Sequence, residues 1–403
     1  MIPNKTFCVL PWLSLEASPI GTVRPCCLAD DEIVDNYGDK FDLNTASLAD
    51  IQDSNYMTEL RGQFLLGNRP KTCRKCWDEE DSGRTSKRQN TQNRLSDIIA
   101  KSEWSTESNT LSFLDLKLGN ICNLKCRICG SWSSSNFAGE ELRFVTGDKK
   151  KSFHYEMKQH GQWPRNASAF WNELDQLSPQ IEYLEFTGGE PFLIKEHFQY
   201  LQRLVDSNRA KHVSIHYNTN GTQWPEEYIK VWEHFKHVEI AFSIDNVGKR
   251  FEYERTNASW DEVNRNIKKF MILRNTSKNI ALQLCVTINI YNVLYLHDIT
   301  SWEHFADFDL VHWNMLHDAP HNCIQSLPPL AKQVAKARLT VPSNQTEAVQ
   351  REFNSIAKFI EAPAKVSQVE LLQNINQLDN RRGVSLETTH RELYKVLYEK
   401  APR

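Results

Sequence analysis

Cys122, Cys126 and Cys129 stand in the run LGNICNLKCRICG, a C-x3-C-x2-C spacing on one short segment. Three thiolates so placed can hold three irons of a cubane cluster and leave the fourth iron without a protein ligand. An open coordination position is what a catalytic metal site needs. The other reading of the spacing is a structural zinc knuckle that lacks its fourth ligand. A second group lies upstream: Cys8, then twelve residues to Gly21, then Cys26 and Cys27, and later the C-x2-C pair Cys73 and Cys76. One C-x2-C and two isolated thiolates fit a closed structural zinc or a fully ligated iron–sulfur cluster, with Cys27 as the spare or alternative ligand.

Of the ten cysteines, Cys285 and Cys323 are left as singles. The first sits in an apolar run and is expected as a buried core thiol, the second in a polar loop as an incidental one. Clustered cysteines in a chain without a secretion signal favour metal or cluster ligation over disulfides.

The cysteine loop follows the first of six apolar runs: LSFLDLKL (111–118), EYLEF (182–186), HVSIHYN (212–218), VEIAFSI (238–244), ALQLCVTIN (281–289) and DLVHWNML (309–316). Amphipathic segments separate them. Phe198, Leu201 and Val205 share a face, and Ser259 with Glu262 predicts a capped helix that buries Val263, Ile267, Phe270 and Met271. Strands alternating with helices imply an α/β fold with a parallel sheet, open or curled into a partial (βα)6 barrel. In such folds chemistry collects at the carboxyl ends of the strands. There the second run ends in FTGGEPF: Gly188 and Gly189 permit close backbone approach to a ligand, and Glu190 offers a carboxylate to an ammonium group. Pro191 then opens the next helix. His216, His312, His317 and Asp318 lie on or near strand ends, as base, substrate contact or ordinary hydrogen-bonding groups.

Taken in this order, the three-cysteine loop, the Gly-Gly-Glu-Pro turn and the polar later strand ends resemble the radical S-adenosylmethionine (radical SAM) superfamily over residues 111 to about 316. The resemblance implies a 4Fe–4S cluster on Cys122, Cys126 and Cys129 whose free iron binds SAM. It implies reductive SAM cleavage to a 5′-deoxyadenosyl radical that abstracts hydrogen from a substrate. It places Gly188, Gly189 and Glu190 at the methionine amine and Ile128 against the adenine. Asn218 and Asn220, Ser243 and Asp245, and Asn292 fall at the family's polar strand ends near SAM. The C-x12-G-x4-C spacing of Cys8, Gly21 and Cys26, with SLADIQDSNYMTELRGQFLLGN before Cys73, resembles the SPASM/twitch extension of radical SAM maturases. That implies an auxiliary 4Fe–4S cluster on Cys8, Cys26, Cys73 and Cys76. Such extensions usually follow the barrel, whereas here the unit precedes it.

The expected organisation is therefore a cluster domain at 1–81, a linker at 82–110, the barrel at 111–317 and a helical region at 318–403. Within the last, Asn344 and Glu347 predict a cap for a helix with Val349, Phe353, Ile356 and Ile360 on one face. The segment from Gly130 to Gln180, with Trp132, Trp163 and Trp171, is expected to cover the barrel mouth or to pack outside it. SPASM/twitch resemblance favours a peptide or protein side chain as substrate. A small carbohydrate, nucleoside or cofactor precursor comes second, and a non-catalytic iron–sulfur or zinc binding protein is the competing class. The implied partner is an electron donor such as flavodoxin or ferredoxin.

Composition narrows the classes. The chain has 403 residues, a hydrophobic share of 40% and a charged share of 25%, typical of a globular protein. Its 48 Lys plus Arg against 51 Asp plus Glu give a net charge of −3, no general footprint for nucleic acid. No apolar stretch approaches the ~18 residues of a membrane span, and Pro3, Pro11 and Glu16 interrupt the start of the chain, so a cytoplasmic protein is expected.

Overall fold

The computed structural model describes residues 2–81, 83, 85–340 and 346–398. They divide into two compact units. The first holds the described residues up to 122, with 131–218 and 225–239; the second holds 123–130, 219–224 and the described residues from 240 onward.

All six expected strands form. They are β3 (Phe113–Lys117), β5 (Tyr183–Thr187), β6 (Ser214–Thr219), β7 (His237–Ser243), β9 (Ile280–Ile288) and β10 (Leu310–Met315). Four short strands join them: β1 (Ser14–Ala17), β2 (Val23–Arg24), β4 (Lys125–Cys126) and β8 (Arg255–Thr256). In the first unit the order is β2-β1-β3-β5-β6, with β1, β3, β5 and β6 parallel. In the second, β10 runs parallel to β9, and β4 pairs antiparallel with β8. The class is α/β, as the alternation of runs implies.

Register explains which face carries what. Leu15, Leu114, Leu184 and Ile215 are neighbours across four strands, followed by Ala17, Leu116, Phe186 and Tyr217. This apolar face takes the helices, among them Lys195–Asp206, which buries Phe198, Leu201 and Leu204. Leu204, not Val205, completes that helix's face. One residue out of step, Glu16, Asp115, Glu185 and His216 form a charged row on the other face. Such a row is unusual for parallel strands, which generally read apolar on both sides.

The charges are paired. Glu16 is fully buried and holds Arg24 (2.8 Å) and Lys117. Lys87 reaches Asp115 (3.3 Å) and Glu185 (3.9 Å), and His216 Nδ1 bonds Glu239 (2.6 Å). That bond is the main reason the Glu239 carboxyl sits below its usual range.

The stretch at 82–110 carries more structure than its polar composition suggests. A capping box of Ser86 and Gln89 starts a helix at Lys87–Arg94, and Ser96–Lys101 follows, with Leu95 and Ile99 buried. Within 131–177 Trp163 and Trp171 are packed rather than displayed: Trp163 Nε1 donates to the Lys117 carbonyl (2.8 Å) and stacks on Trp171. In the second unit the helix Trp260–Thr276 buries Val263, Ile267, Phe270 and Met271 as expected, with Ser259 accepting from the Glu262 N–H. Thr346 caps the helix Glu347–Phe359; Asn344 lies outside the described residues. Val349, Phe353, Ile356 and Ile360 are buried. The two single cysteines exchange roles, Cys323 being fully buried and Cys285 only partly. No helix among the described residues is long and apolar enough to cross a membrane.

Glu16 docks β1 against β3, so Glu16→Ala should lower unfolding free energy by about 2 kcal/mol in chemical denaturation. The figure sits below the usual cost of orphaning a buried partner because Arg24 and Lys117 keep some solvent. An unchanged midpoint would show that the two cations are content without it.

Candidate metal and cofactor sites

Four thiols of the first unit line one small cavity: Cys8, Cys26, Cys73 and Cys76, with Leu10, Leu28, Ala29, Phe64, Lys87 and Arg88 around them. Each is placed by a different piece of local structure. Cys8 precedes the short helix Leu10–Leu13, anchored by the buried rings of Phe7 and Trp12. Cys26 sits in a turn whose carbonyl accepts from the Ala29 N–H (3.1 Å). Cys73 ends a 3-10 turn after Pro70, and Cys76 follows three residues on in the helix Arg74–Asp81. Burial drives all four thiols upward, and for Cys8, Cys73 and Cys76 the neighbouring cysteines add to it. A crowded set of thiols that repel one another as thiolates is a set that a bound cation would relieve. Among the described residues no group of three or more His, Cys, Asp or Glu is placed to hold a single metal ion. The donor set fits a four-iron cluster.

Arg88, which nothing in the sequence singles out, holds this arrangement. It is buried, grips both Glu80 oxygens (2.9 and 2.6 Å), donates to the Phe7 carbonyl (2.6 Å) and lies over the Trp77 ring. The segments bearing Cys8 and Cys76 are thereby tied to one guanidinium. Cys27 points elsewhere: its sulfur takes a hydrogen bond from Lys87 Nζ (2.8 Å), and it does not line the cavity.

At the carboxyl ends of β3 and β5, still in the first unit, backbone meets backbone. The Gly189 N–H donates to the Gly119 carbonyl (3.0 Å) and the Glu190 N–H to the Ile121 carbonyl (2.8 Å), one residue before Cys122. A Cβ on Gly188 (φ +112) would stand 2.6 Å from Gly119 O, and one on Gly189 would stand 2.2 Å from Ile121 O. The glycines are thus required by the protein's own chain packing. Glu190 is fully buried, and one carboxylate oxygen caps the Phe192 N–H (3.2 Å). Asn218 is half-buried on β6.

The second unit holds the remaining candidates. β4 places Cys126 opposite Arg255 in register, and Arg255 Nη1 lies 3.9 Å from the Cys126 sulfur. Burial pushes that thiol up to about 12, against the pull of Arg255. Arg255 is held by Asp245 (2.5 Å), whose other oxygen accepts from the Thr287 N–H (2.8 Å). The Arg255 Nε is buried with no hydrogen-bond partner among the described residues. The Cys129 N–H turns back to the Cys126 carbonyl (3.2 Å). Asn292 donates its two amide N–H bonds to the Asp245 and Thr287 carbonyls and accepts from the Asn289 N–H. Asn220 pairs with Asn123 (3.0 Å) and accepts from the Thr222 N–H. Asp245, Asn220 and Asn292 are therefore bound to protein, while Ser243 and Ile128 are half-buried. Arg255 had no signal in the sequence; it lies 129 positions from its cysteine.

Two known families match parts of this chain. The family described as the Radical SAM superfamily matches residues 116–287. Residues 116–287 carry a radical SAM domain. The SPASM family, described as an iron–sulfur cluster-binding domain, matches residues 8–77, ahead of the barrel. The radical SAM fold is the partial barrel expected above, and the two domains imply 4Fe–4S clusters and SAM as cofactors. No curated protein matches the chain.

Solved structures similar to this chain include native anSMEcpe with bound AdoMet, at 16% identity and a TM-score of 0.36 over 56% of this chain and 58% of that one. Another is anSMEcpe with AdoMet and the Kp18Cys peptide, at 16%, TM-score 0.38, 57% and 59%. A third is Streptococcus suis SuiB bound to its precursor peptide SuiA, at 13%, TM-score 0.33, 74% and 62%. The chain thus spans about three fifths of the length of the solved chains it is similar to.

Gly189→Ala should force the turn away from the cysteine loop, an overpacking cost of about 1–3 kcal/mol, and lower iron content after reconstitution. Arg88→Met should instead deplete iron only from the N-terminal set, leaving about four irons per chain. Iron analysis of each variant distinguishes them, and equal losses from both would contradict separate roles for the two residues.

Proposed function

We propose that this chain is a radical SAM enzyme that carries two 4Fe–4S clusters and acts on a peptide or protein side chain. Residues 1–81 hold the auxiliary cluster on Cys8, Cys26, Cys73 and Cys76, and residues 111–317 hold the SAM-binding one on Cys122, Cys126 and Cys129. The observation that carries this reading is the sorting of the thiols. Four share one small cavity, while the fifth upstream cysteine, Cys27, takes a hydrogen bond from Lys87 and does not line it. Four protein ligands leave no open iron there, which suits electron relay or structural support.

When bound, the cluster and SAM supply one-electron cleavage of the S–C5′ bond and a hydrogen-abstracting 5′-deoxyadenosyl group. The chain's own residues bind and orient. Glu190 is buried with one oxygen on its cap, and its carboxylate is the group for SAM's ammonium. Ile128 would lie against the adenine, and Asn218 and Ser243 offer polar atoms at strand ends. Asp245 and Asn292, occupied by protein, shape the site by holding Arg255 and the β9 exit. Arg255 keeps a cation beside Cys126, which stabilises the more negative, reduced state of a cluster bound there.

The pairing of a radical SAM domain with a SPASM domain favours a peptide substrate over a small carbohydrate, nucleoside or cofactor precursor. The electron comes from an external carrier of the flavodoxin or ferredoxin kind.

Anaerobic reconstitution should give about eight irons per chain, and SAM with dithionite should then release 5′-deoxyadenosine. Cys126→Ala should abolish that release and keep about four irons. Loss of all iron in this variant would end the two-cluster assignment, and no release from the wild type would end the enzymatic one. Arg255→Met should lower the reduction potential of the SAM-binding cluster by tens of millivolts in a redox titration, about the scale of one lost charge. An unmoved potential would remove Arg255 from the site.

A further inference from the structure

Arg127 stands between two of the loop's thiols, yet its side chain turns into the second unit and is fully buried. Its Nη2 meets Asp379 on the helix Gln368–Arg382, 252 positions along the chain. The Tyr253 hydroxyl donates to the same Asp379 oxygen (2.8 Å), and its ring lies 3.7 Å from the Arg127 guanidinium carbon. The other Asp379 oxygen accepts from the Leu386 N–H (2.8 Å), which fixes the turn after that helix. Arg127's backbone is held as well. Its N–H donates to the Glu254 carbonyl (2.8 Å), and its own carbonyl accepts from Asn322 Nδ2 (2.8 Å), a fully buried amide.

A guanidinium taken out of water is tolerated while its carboxylate is present and strongly unfavourable once that partner is gone. The loop's conformation and the seating of the C-terminal helix are therefore one coupled state.

We infer that Asp379 is a positioning residue for the cysteine loop: through Arg127, the C-terminal helical region sets the shape of residues 123–130 before any cluster is loaded. The inference takes Cys126 and Cys129 as cluster ligands, as proposed above, but its first test uses the iron-free chain and does not depend on that assignment. Hydrogen exchange on the full-length iron-free protein compares the wild type with Asp379→Ala and Asp379→Asn. The Ala variant should exchange the Arg127 and Cys129 amides about tenfold faster or more, the scale expected when a buried charge loses its partner. The Asn variant keeps an acceptor for Tyr253 and should fall between. Peptides covering Leu282–Ile288 should not change in either.

After reconstitution, the change that SAM makes to the electron paramagnetic resonance spectrum of the reduced cluster should be altered in Asp379→Ala and partly restored in Asp379→Asn. Unchanged exchange in 123–130 would overturn the inference. So would equal acceleration in β9, which would make Asp379 a support of the whole unit. Should the Ala variant not fold, the Asn variant decides by the same two criteria. A wild type whose spectrum ignores SAM would overturn the cofactor reading instead, with the exchange comparison still deciding the role of Asp379.

Discussion

Buried guanidinium groups, each tied to a carboxylate, hold the cysteine-bearing segments in place. A thiol-rich loop has little apolar surface with which to fix itself, and thiols make weak hydrogen bonds. Here Arg88 with Glu80 ties the segments of Cys8 and Cys76, Arg255 with Asp245 stands beside Cys126, and Arg127 with Asp379 anchors the loop at 123–130. In each case the planar fork of arginine is shared between a carboxylate on one side and backbone, ring or sulfur on the other. Such pairs add little net stability relative to apolar packing, but they specify geometry, which is what a polynuclear metal site needs.

The charged row on the sheet continues the same pattern of pairing. Glu16, Asp115, Glu185 and His216 occupy register positions where a parallel sheet generally carries aliphatic side chains. Lys87 brings a cation from the helix after residue 86 and shares it among Asp115, Glu185 and the Cys27 sulfur. The four-thiol cavity and the polar sheet face thus have Lys87 as a common neighbour, since it also borders the cavity.

The six strands were legible because their apolar runs are long and their separating helices amphipathic, and the cysteine sets because thiol spacing is a chemical signal. Less was legible where contact is made across distance. Ser14–Ala17 is four residues with a glutamate in it, so nothing local marks it as a sheet strand. The helix at Lys87–Arg94 is polar throughout, and its buried Arg88 looks like any surface arginine until Glu80 and the Phe7 carbonyl are beside it. The glycines at 188 and 189 stand out as positions where no side chain fits, but the neighbour that excludes one is the chain's own backbone. Asp245 and Asn292 are recognisable as strand-end polar residues, and only their hydrogen-bond partners show that they are fully engaged with protein.

The parallel pairing of β1 with β3 sets Ser14 opposite Phe113. During synthesis the first strand leaves the ribosome long before its neighbour exists, and the intervening chain must be made before that ladder can close. Such a contact, distant in sequence, meets its loop-closure entropy late and slows folding. It also means that excising the N-terminal segment would not release a tidy barrel. It would bare the flank of β3 as an unpaired edge, a ready template for intermolecular strand addition.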